Sequence, residues 1–372
     1  MLFVLDDSLI PSLTQPNTDR HLIGVLDDLA RLRRDGKHLV FGSRNIFEAL
    51  IKCSTLDESS LAVYRKIFSK LPGLHSLTRM MFRRIEIIHS SYPPLIENHY
   101  EGKVFKIPFH LFTDISYFSR SILLAENLND AQIYIHIANT YLVMNKMGVI
   151  KLHYALQGGG GSTTVNEYRE IQERKERLCL CLLDNDKKTP HCGLGDTAKK
   201  VKDSDDPRCL FTEYYIIGAR DIENLFPTSI LSNIDRGMRN STISFLETIE
   251  ASNDVESRFY FDMKKGLKLS EIYHCSENSN FYKYWSPVIE KTKVTDDLSC
   301  KQPISCSTAS ECSCILVNGF GDNLVEYWLE NHITPHKLAE TISSQPHLKK
   351  RWEDIGRVVV GWCCGANKMS VI

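Results

Sequence analysis

The chain has 372 residues, of which 42% are hydrophobic and 24% charged, an ordinary composition for a globular protein with a buried core. A chain of this length is expected to form about two or three domains. The formal net charge of −1 excludes a globally basic nucleic-acid-binding protein, so any contact with nucleic acid must come from locally gathered lysines and arginines. No run approaches the roughly 18 apolar residues of a membrane span, and we therefore expect no membrane association.

The first residues and the cysteines predict a cytoplasmic location. Residues 1–7 carry no basic leader and turn acidic at once, unlike a secretory signal. The 12 cysteines are then expected to stay reduced, with Cys179 and Cys181 as small core residues between leucines. A later cluster leaves two interpretations open, a zinc site with unusual ligand spacing or a loop rich in serine and cysteine. The cluster consists of Cys300, Cys306, Cys312 and Cys314.

Residues 1–118 are predicted to form a small α/β region of their own. An apolar run at the start predicts a strand, and residues 21–34 predict an amphipathic helix, with Gly36 where a C-cap glycine belongs. Asp6 and Asp7 follow the first strand. They are either part of an acidic nuclease site of the PIN type or, as is common for such pairs, solvated or capping carboxylates.

Residues 119–183 alternate strand, helix, strand, helix and strand. This order predicts parallel strands joined by right-handed crossovers, and ligands bind beyond the carboxyl ends of such strands. The glycines at 158–161 follow the middle strand and are either a flexible turn or a place where backbone approaches phosphate closely. The predicted strands are 121–125, 150–156 and 178–183, and a further strand is expected at 213–217.

Carboxylates follow the first and last of the three alternating strands. Glu126 ends the first strand, and Asp130 opens the helix after it. Asp184 and Asp186 end the last strand, with a spacing that places both on one side of an extended chain. Carboxylates that converge at one edge of a sheet repel each other unless a divalent cation holds them. The pattern therefore predicts a site for Mg²⁺, which prefers oxygen ligands.

At these residues the chain resembles the toprim family of nucleases, topoisomerases and primases. The segment 123–130 is similar to the first motif in its OLD-type form, with an Asp four residues after the Glu. Asp184-Asn-Asp186 matches the second motif, and residues 219–225 resemble the third acidic motif through Glu223. Residues 262–266 resemble the lysine–glycine that closes the OLD-type site. The resemblance covers roughly residues 119–270.

The resemblance implies the fold and the division into domains. We expect an α/β protein with a toprim, Rossmann-like parallel sheet and helices on both faces. Residues 119–270 would form this catalytic domain. Residues 1–118 would be an accessory α/β region, and residues 271–372 a mainly helical C-terminal region.

The resemblance also implies a metal-dependent endonuclease that uses Mg²⁺, with Mn²⁺ as an alternative, through one or two ions. Glu126 would act as general base besides holding a metal. Lys264 or Lys265 would offset charge that develops on the phosphate, and the spacing does not distinguish them. The implied metal ligands are Glu126, Asp130, Asp184, Asp186 and Glu223.

A charged loop is predicted just beyond the second motif, over residues 187–206. Its lysines are placed to meet a phosphate backbone, although the aspartates that follow dilute the positive field. The alternative is a solvated, mobile loop. The candidate nucleic-acid contacts are Lys187, Lys188, Lys199 and Lys200.

The resulting hypothesis is a nuclease acting on DNA or RNA, with transfer RNA among the candidates, that serves as an antiviral defence effector. The chain has no P-loop, so an ATPase would be a separate chain. It shows no sequence-reading module, so we expect restraint by a regulatory protein, a nucleic-acid partner or a second copy of the chain. Two alternatives remain, a non-catalytic toprim module that binds nucleic acid or partners, and a housekeeping RNA-processing nuclease.

Overall fold

The computed structural model describes residues 1–15, 18–73, 80–99, 102–234, 240–273, 279–292 and 314–370. The chain divides into two compact units. The first contains Met1–Leu182, Ser204–Tyr215 and Glu353–Ile372, and the second contains Leu183–Asp203 and Ile216–Trp352. These units divide the chain differently from the three predicted domains, because each is assembled from separate stretches of sequence.

The strands of the described residues follow in chain order. They are β1 (Leu2–Leu5), β2 (Leu39–Gly42), β3 (Arg83–Ile88), β4 (Leu95–His99), β5 (Gly102–Pro108), β6 (Ser121–Ala125), β7 (Lys151–Leu152), β8 (Tyr154–Gly158), β9 (Cys179–Leu183), β10 (Thr212–Ile216), β11 (Gly266–Lys268), β12 (Ile315–Asn318) and β13 (Cys364–Gly365).

The α-helices are named in the same way. They are α1 (Ile10–Leu13), α2 (Arg20–Arg34), α3 (Arg44–Lys52), α4 (Glu58–Phe68), α5 (Leu128–Met144), α6 (Thr164–Arg174), α7 (Asp196–Ser204), α8 (Thr228–Ile234), α9 (Asn240–Glu250), α10 (Leu269–Tyr273), α11 (Asn280–Thr292), α12 (Leu324–Glu330), α13 (Pro335–Ser343) and α14 (Pro346–Cys363).

A five-stranded sheet forms the N-terminal part of the first unit, in the order β2-β1-β3-β5-β4. All neighbours are parallel except β4, which runs antiparallel to β5. After β1, the Asp6 side chain accepts a hydrogen bond from the Ser8 amide at 2.9 Å, and Asp7 accepts one from the Ser43 hydroxyl. These contacts support the capping interpretation of the aspartate pair rather than a second acidic nuclease site.

The second sheet confirms the predicted α/β architecture. Its four strands are parallel and lie in the order β10-β9-β6-β8. The crossovers from β6 to β8 and from β8 to β9 carry α5 and α6, as the alternating pattern predicted. Every residue of β6 and β9 is buried, including Cys179 and Cys181. Continuous apolar runs of this kind are typical of parallel strands covered on both faces.

The glycine-rich loop after β8 is held against the turn after β6. The Gly159 amide donates to the Ala125 carbonyl at 2.8 Å, and the Gly161 amide donates to the Glu126 carbonyl at 3.0 Å. A Cβ atom at Gly158 would lie 3.1 Å from the Leu128 backbone nitrogen. Backbone therefore packs closely on backbone here, and the loop is not a plain flexible linker.

The second unit is mainly helical and contains the short antiparallel pair β11–β12. Its interior includes Phe226 stacked on Trp328, with ring centroids 4.1 Å apart. The guanidinium of the fully buried Arg258 donates to the carbonyls of Asn224 and Phe226, which ties the segment after β10 to the rest of the unit.

The remaining predictions about the fold concern the clustered cysteines and the absence of a membrane span. Cys300, Cys306 and Cys312 lie outside the described residues, whereas Cys314 is buried just before β12. Within the described ranges, none of the helices combines the length and the hydropathy that crossing a lipid bilayer requires.

Candidate metal centre

The carboxyl ends of β9 and β10 bring two acidic segments together in the second unit. Asp184 directly follows β9. Beyond the strand ends the two segments remain hydrogen-bonded to each other. The Ile217 amide donates to the Leu183 carbonyl at 2.9 Å, and the Asn185 amide donates to the Ala219 carbonyl at 3.2 Å. Asp184 is therefore positioned beside the segment that follows β10.

Three carboxylates converge at this point. A short 3₁₀ helix spans Ile222–Leu225, with Asp221 at its N-cap and Glu223 in its first turn. One oxygen from each of Asp184, Asp221 and Glu223 lies within 4.8 Å of the other two. Two oxygens that bind one ion at about 2.0–2.6 Å are at most about 4–5 Å apart, so a single divalent cation fits between these groups.

Glu223 is the buried member of the trio, with 1% of the side chain exposed. The Lys264 ammonium lies 3.0 Å from its Oε1 as an ion pair. Apart from this contact, the carboxylate oxygens have no hydrogen-bond partner among the described residues. A buried carboxylate with one charged partner is still costly, and a bound cation would compensate that cost.

Lys264, rather than Lys265, is the lysine that reaches the acidic cluster. Burial lowers the pKa of Lys264, but the charges of Glu223 and Asp221 outweigh this effect and raise the pKa above its ordinary value. Lys265 is exposed. The turn that presents Lys264 is fixed by Asp262, whose Oδ1 accepts hydrogen bonds from the amides of both lysines at 3.1 and 2.7 Å.

Arg220 contacts two aspartates of the acidic cluster and its supporting turn. Its guanidinium donates to Asp262 Oδ2 at 2.6 Å and lies 3.6 Å from Asp221 Oδ2. Burial and the charge of Glu223 nevertheless raise the pKa of Asp221 to about 7, against the lowering effects of Arg220 and Lys264.

Asp186 is not one of the three converging carboxylates, and its backbone is not extended as predicted, whereas its role as a metal ligand stays a prediction. The strand ends at Leu183, and Asp186 has a left-handed φ of 52°. Its position is fixed by Gly195, where a Cβ atom would collide with the Asp186 carboxylate. Although the residue is exposed, crowding of its carboxyl group by surrounding atoms raises its pKa.

The other two predicted ligands, Glu126 and Asp130, belong to the first unit. Glu126 directly follows β6, and its charge contributes to a raised pKa of the Cys181 thiol, which is mainly caused by burial. Asp130 lies in the first turn of α5, where its amide donates to Asn127 Oδ1 at 3.0 Å and its carboxylate accepts from Asn127 Nδ2. Their participation in the metal centre stays a prediction.

The four candidate nucleic-acid-binding lysines lie in two different settings. Lys188 is exposed, Lys187 is half-buried, and the Lys188 carbonyl accepts a hydrogen bond from the Trp285 indole at 3.0 Å. Lys199 and Lys200 are exposed on α7, so the predicted loop is wrong over residues 196–204. The helix forms because Ala198 and Val201 bury one of its faces.

Asp221 is the candidate ligand that the sequence analysis does not identify. The third acidic motif contains both Asp221 and Glu223, and the resemblance points to Glu223 alone. Asp221 and Glu223 are two residues apart, as Asp184 and Asp186 are, and this shared spacing is a signal that could have identified Asp221. What the spacing could not show is that a 3₁₀ turn, closed by the hydrogen bond from the Asp221 amide to Asn224 Oδ1 at 2.9 Å, would bring both carboxylates to one site.

Comparisons with known proteins give no family assignment, since no protein-family model, no curated protein and no solved structure matches the chain significantly.

Proposed function

We propose that this chain is a metal-dependent nuclease of the toprim type that hydrolyses phosphodiester bonds in DNA or RNA. The observation that carries the proposal is the convergence of Asp184, Asp221 and Glu223 with the Lys264 ammonium, just beyond the carboxyl ends of two neighbouring parallel strands. Ligands of open α/β sheets bind at such strand ends. A carboxylate trio beside a cation suits the binding of a metal ion together with a phosphate.

The residues present fit a hard divalent cation. All three ligand groups are carboxylates, which favour Mg²⁺ or Mn²⁺ over the softer ions that prefer sulfur or imidazole. Apart from the Lys264 ammonium, the buried oxygens of Glu223 have no hydrogen-bond partner among the described residues, which supports a role as metal ligand. When bound, the ion would lower the pKa of an attacking water and stabilise charge on the leaving oxygen.

The protein's own cations divide into two roles. Lys264 stays protonated at neutral pH because the neighbouring carboxylates raise its pKa, and it would stabilise negative charge that develops on the phosphate. Arg220 is bound to Asp262 and lies near Asp221, so it orients the acidic segment rather than meeting substrate. Removing Lys264 should therefore slow catalysis, whereas removing Arg220 should first weaken metal binding.

The substrate would be held by exposed lysines that follow the metal ligand Asp184 in sequence. Lys188 lies on the loop before α7, and Lys199 and Lys200 lie on that helix. Ammonium groups of this kind contact phosphates without reading bases. We therefore propose sequence-independent contact with the backbone, which predicts binding that weakens steeply with salt concentration.

The test is a cleavage assay on DNA, RNA and transfer RNA with Mg²⁺ or Mn²⁺. Asp184→Asn and Glu223→Gln should each reduce cleavage by more than about 100-fold, since even the supporting partners of metal ligands contribute about 10–100-fold. Glu326→Gln, an exposed acid on α12, is the matched control and should leave cleavage unchanged. Calorimetric titration with Mg²⁺ should show lost binding in Glu223→Gln.

Glu126→Gln tests the role of the first-unit carboxylate separately. We propose that Glu126 acts as general base, so this variant should lose cleavage and keep its fold. Full cleavage by Glu126→Gln would remove that residue from the mechanism. Full cleavage by Asp184→Asn would refute the metal centre, and metal-independent binding of nucleic acid without cleavage would favour a non-catalytic module.

We also propose that the nuclease is an antiviral effector restrained by a regulatory partner or by self-association. Lysine contacts to phosphate supply no sequence readout that would protect the host, which supports this proposal. Expression of the chain alone should arrest growth in a manner that depends on Glu223. A harmless chain that cuts one defined RNA efficiently would favour a housekeeping processing enzyme instead.

A further inference from the structure

The first unit contains a cavity of about 610 Å³ whose lining includes none of the carboxylates of the candidate metal centre. It lies among the C-terminal end of α2, the residues that follow α4, and the segment 366–370 after β13. Small-molecule sites in proteins typically have volumes of about 300–1,000 Å³, so the cavity is large enough for a metabolite.

The lining of this cavity is strongly cationic. It includes Arg33, Lys66, Lys70 and Lys368, and the described lining residues include no aspartate or glutamate. None of the four cations forms an ion pair with a described residue, although the Lys66 ammonium donates to the Ser370 carbonyl at 2.6 Å. Four like charges around one space repel each other unless an anion lies between them.

Arg33 gives an independent sign that the cavity takes an anionic ligand. Its Nη1 atom is buried and has no hydrogen-bond partner among the described residues. Burial also lowers the pKa of the guanidinium, as expected for a cation that has lost water without gaining a counter-ion. A guanidinium fork matches the oxygens of phosphate in two parallel hydrogen bonds.

Part of the cavity wall is apolar. Leu39 and Met369 are nearly buried beside the space, and Val149 remains 61% exposed at it. Because Leu39 and Met369 are already covered by protein, Val149 is the apolar surface that an inorganic anion would leave wet and an uncharged ring system would cover. The ligand therefore needs both a multiply charged anionic part and a less polar body.

We propose that this cavity binds a nucleoside polyphosphate, with the phosphates against the four cations and the nucleoside against the apolar wall. The site would make the chain responsive to a nucleotide at a place distinct from the carboxylate cluster. The inference does not depend on the proposed nuclease function, because it concerns binding alone.

The experiment is isothermal titration of the purified full chain without divalent metal, using ATP, ADP, AMP, adenosine and inorganic phosphate. We expect saturable binding that strengthens from AMP to ATP, is absent for adenosine and weakens as salt rises. Absence of saturable binding by any of the nucleotides overturns the proposal. So does inorganic phosphate binding as tightly as ATP.

Two variants locate the binding. Arg33→Gln and Lys70→Gln should each weaken ATP binding about tenfold or more, since a charge-assisted phosphate contact is lost. Lys70 is exposed, so its replacement should not disturb the fold. Arg31→Gln is the matched control, because it removes the same charge from α2 at a residue that does not line the cavity.

A 5′-phosphorylated oligonucleotide tests whether the phosphate that binds belongs to a free nucleotide or to the end of a nucleic-acid strand. If it binds more tightly than ATP and loses this binding in Arg33→Gln, the cavity holds a strand end and the free-nucleotide proposal is overturned. If ATP binding is unchanged in both Arg33→Gln and Lys70→Gln, the nucleotide binds elsewhere and the proposal is equally overturned.

Discussion

Replacing Asp221 by asparagine removes one carboxylate from the cluster and keeps its size and its side-chain oxygen. In the folded protein without metal, burial and Glu223 raise the pKa of Asp221 to about 7 from an ordinary value of 3.8. The charged form is therefore disfavoured by about 4 kcal/mol at most. Asparagine is never charged and avoids this cost.

The effect of Asp221→Asn on stability must follow pH in a defined direction. Below about pH 4 the aspartate is protonated in both folded and unfolded chains, so the two proteins should be equally stable. As pH rises from about 4 to about 7, the unfolded chain ionises first and the wild-type protein loses stability relative to the variant. Above about pH 7 the difference should level off, with the variant more stable by up to about 4 kcal/mol.

The assay is urea unfolding in the presence of EDTA at several pH values, with Glu326→Gln as the control that should match wild type throughout. Adding Mg²⁺ at pH 8 should then stabilise the wild-type protein far more than Asp221→Asn, since binding to the folded state adds stability by mass action. An Asp221→Asn protein that is less stable than wild type at pH 8 without metal would refute the reasoning. So would a difference that does not change with pH.

Other substitutions test separate parts of the structure. Gly195→Ala should lower Mg²⁺ affinity if Asp186 contributes to the site, because the added Cβ displaces that carboxylate without changing any charge. Calorimetry measures the affinity, and an unchanged value would remove Asp186 from the ligands. Lys264→Gln should slow cleavage at saturating Mg²⁺ with little change in substrate binding, and a pure loss of binding would assign it to substrate capture. Glu213→Gln should cost about 3–5 kcal/mol in urea unfolding, because it leaves the buried Arg83 guanidinium, 2.7 Å from the Glu213 carboxylate, without its charged partner. An unchanged urea midpoint would show that this ion pair contributes nothing to stability.

Local sequence alone determined the alternating architecture around β6, β8 and β9. The apolar runs are short and are bounded by polar residues, and the helical segments between them have the length of crossovers, so parallel pairing followed from chain order. Asp184 at a strand end followed from the same pattern, because a buried strand must stop where charge begins.

Only the tertiary structure decided which acids come together in the carboxylate cluster. Asp186 differs from Asp184 because the backbone turns into a left-handed conformation, which a pattern of residue types does not encode for aspartate. Asp221 enters the cluster through a 3₁₀ turn, and Lys264 enters it through a loop held by Asp262. These choices depend on hydrogen bonds between segments that are far apart in sequence.

The same reason explains the cationic cavity. Arg33, Lys66 and Lys368 are separated by tens to hundreds of residues, and each by itself is an ordinary basic residue at the end of a helix or in a loop. Nothing in the local sequence marks them as a group. They become one site only because the first unit joins the segment after β13 to the residues near Gly36, where the Ala366 amide donates to the Gly36 carbonyl at 2.9 Å.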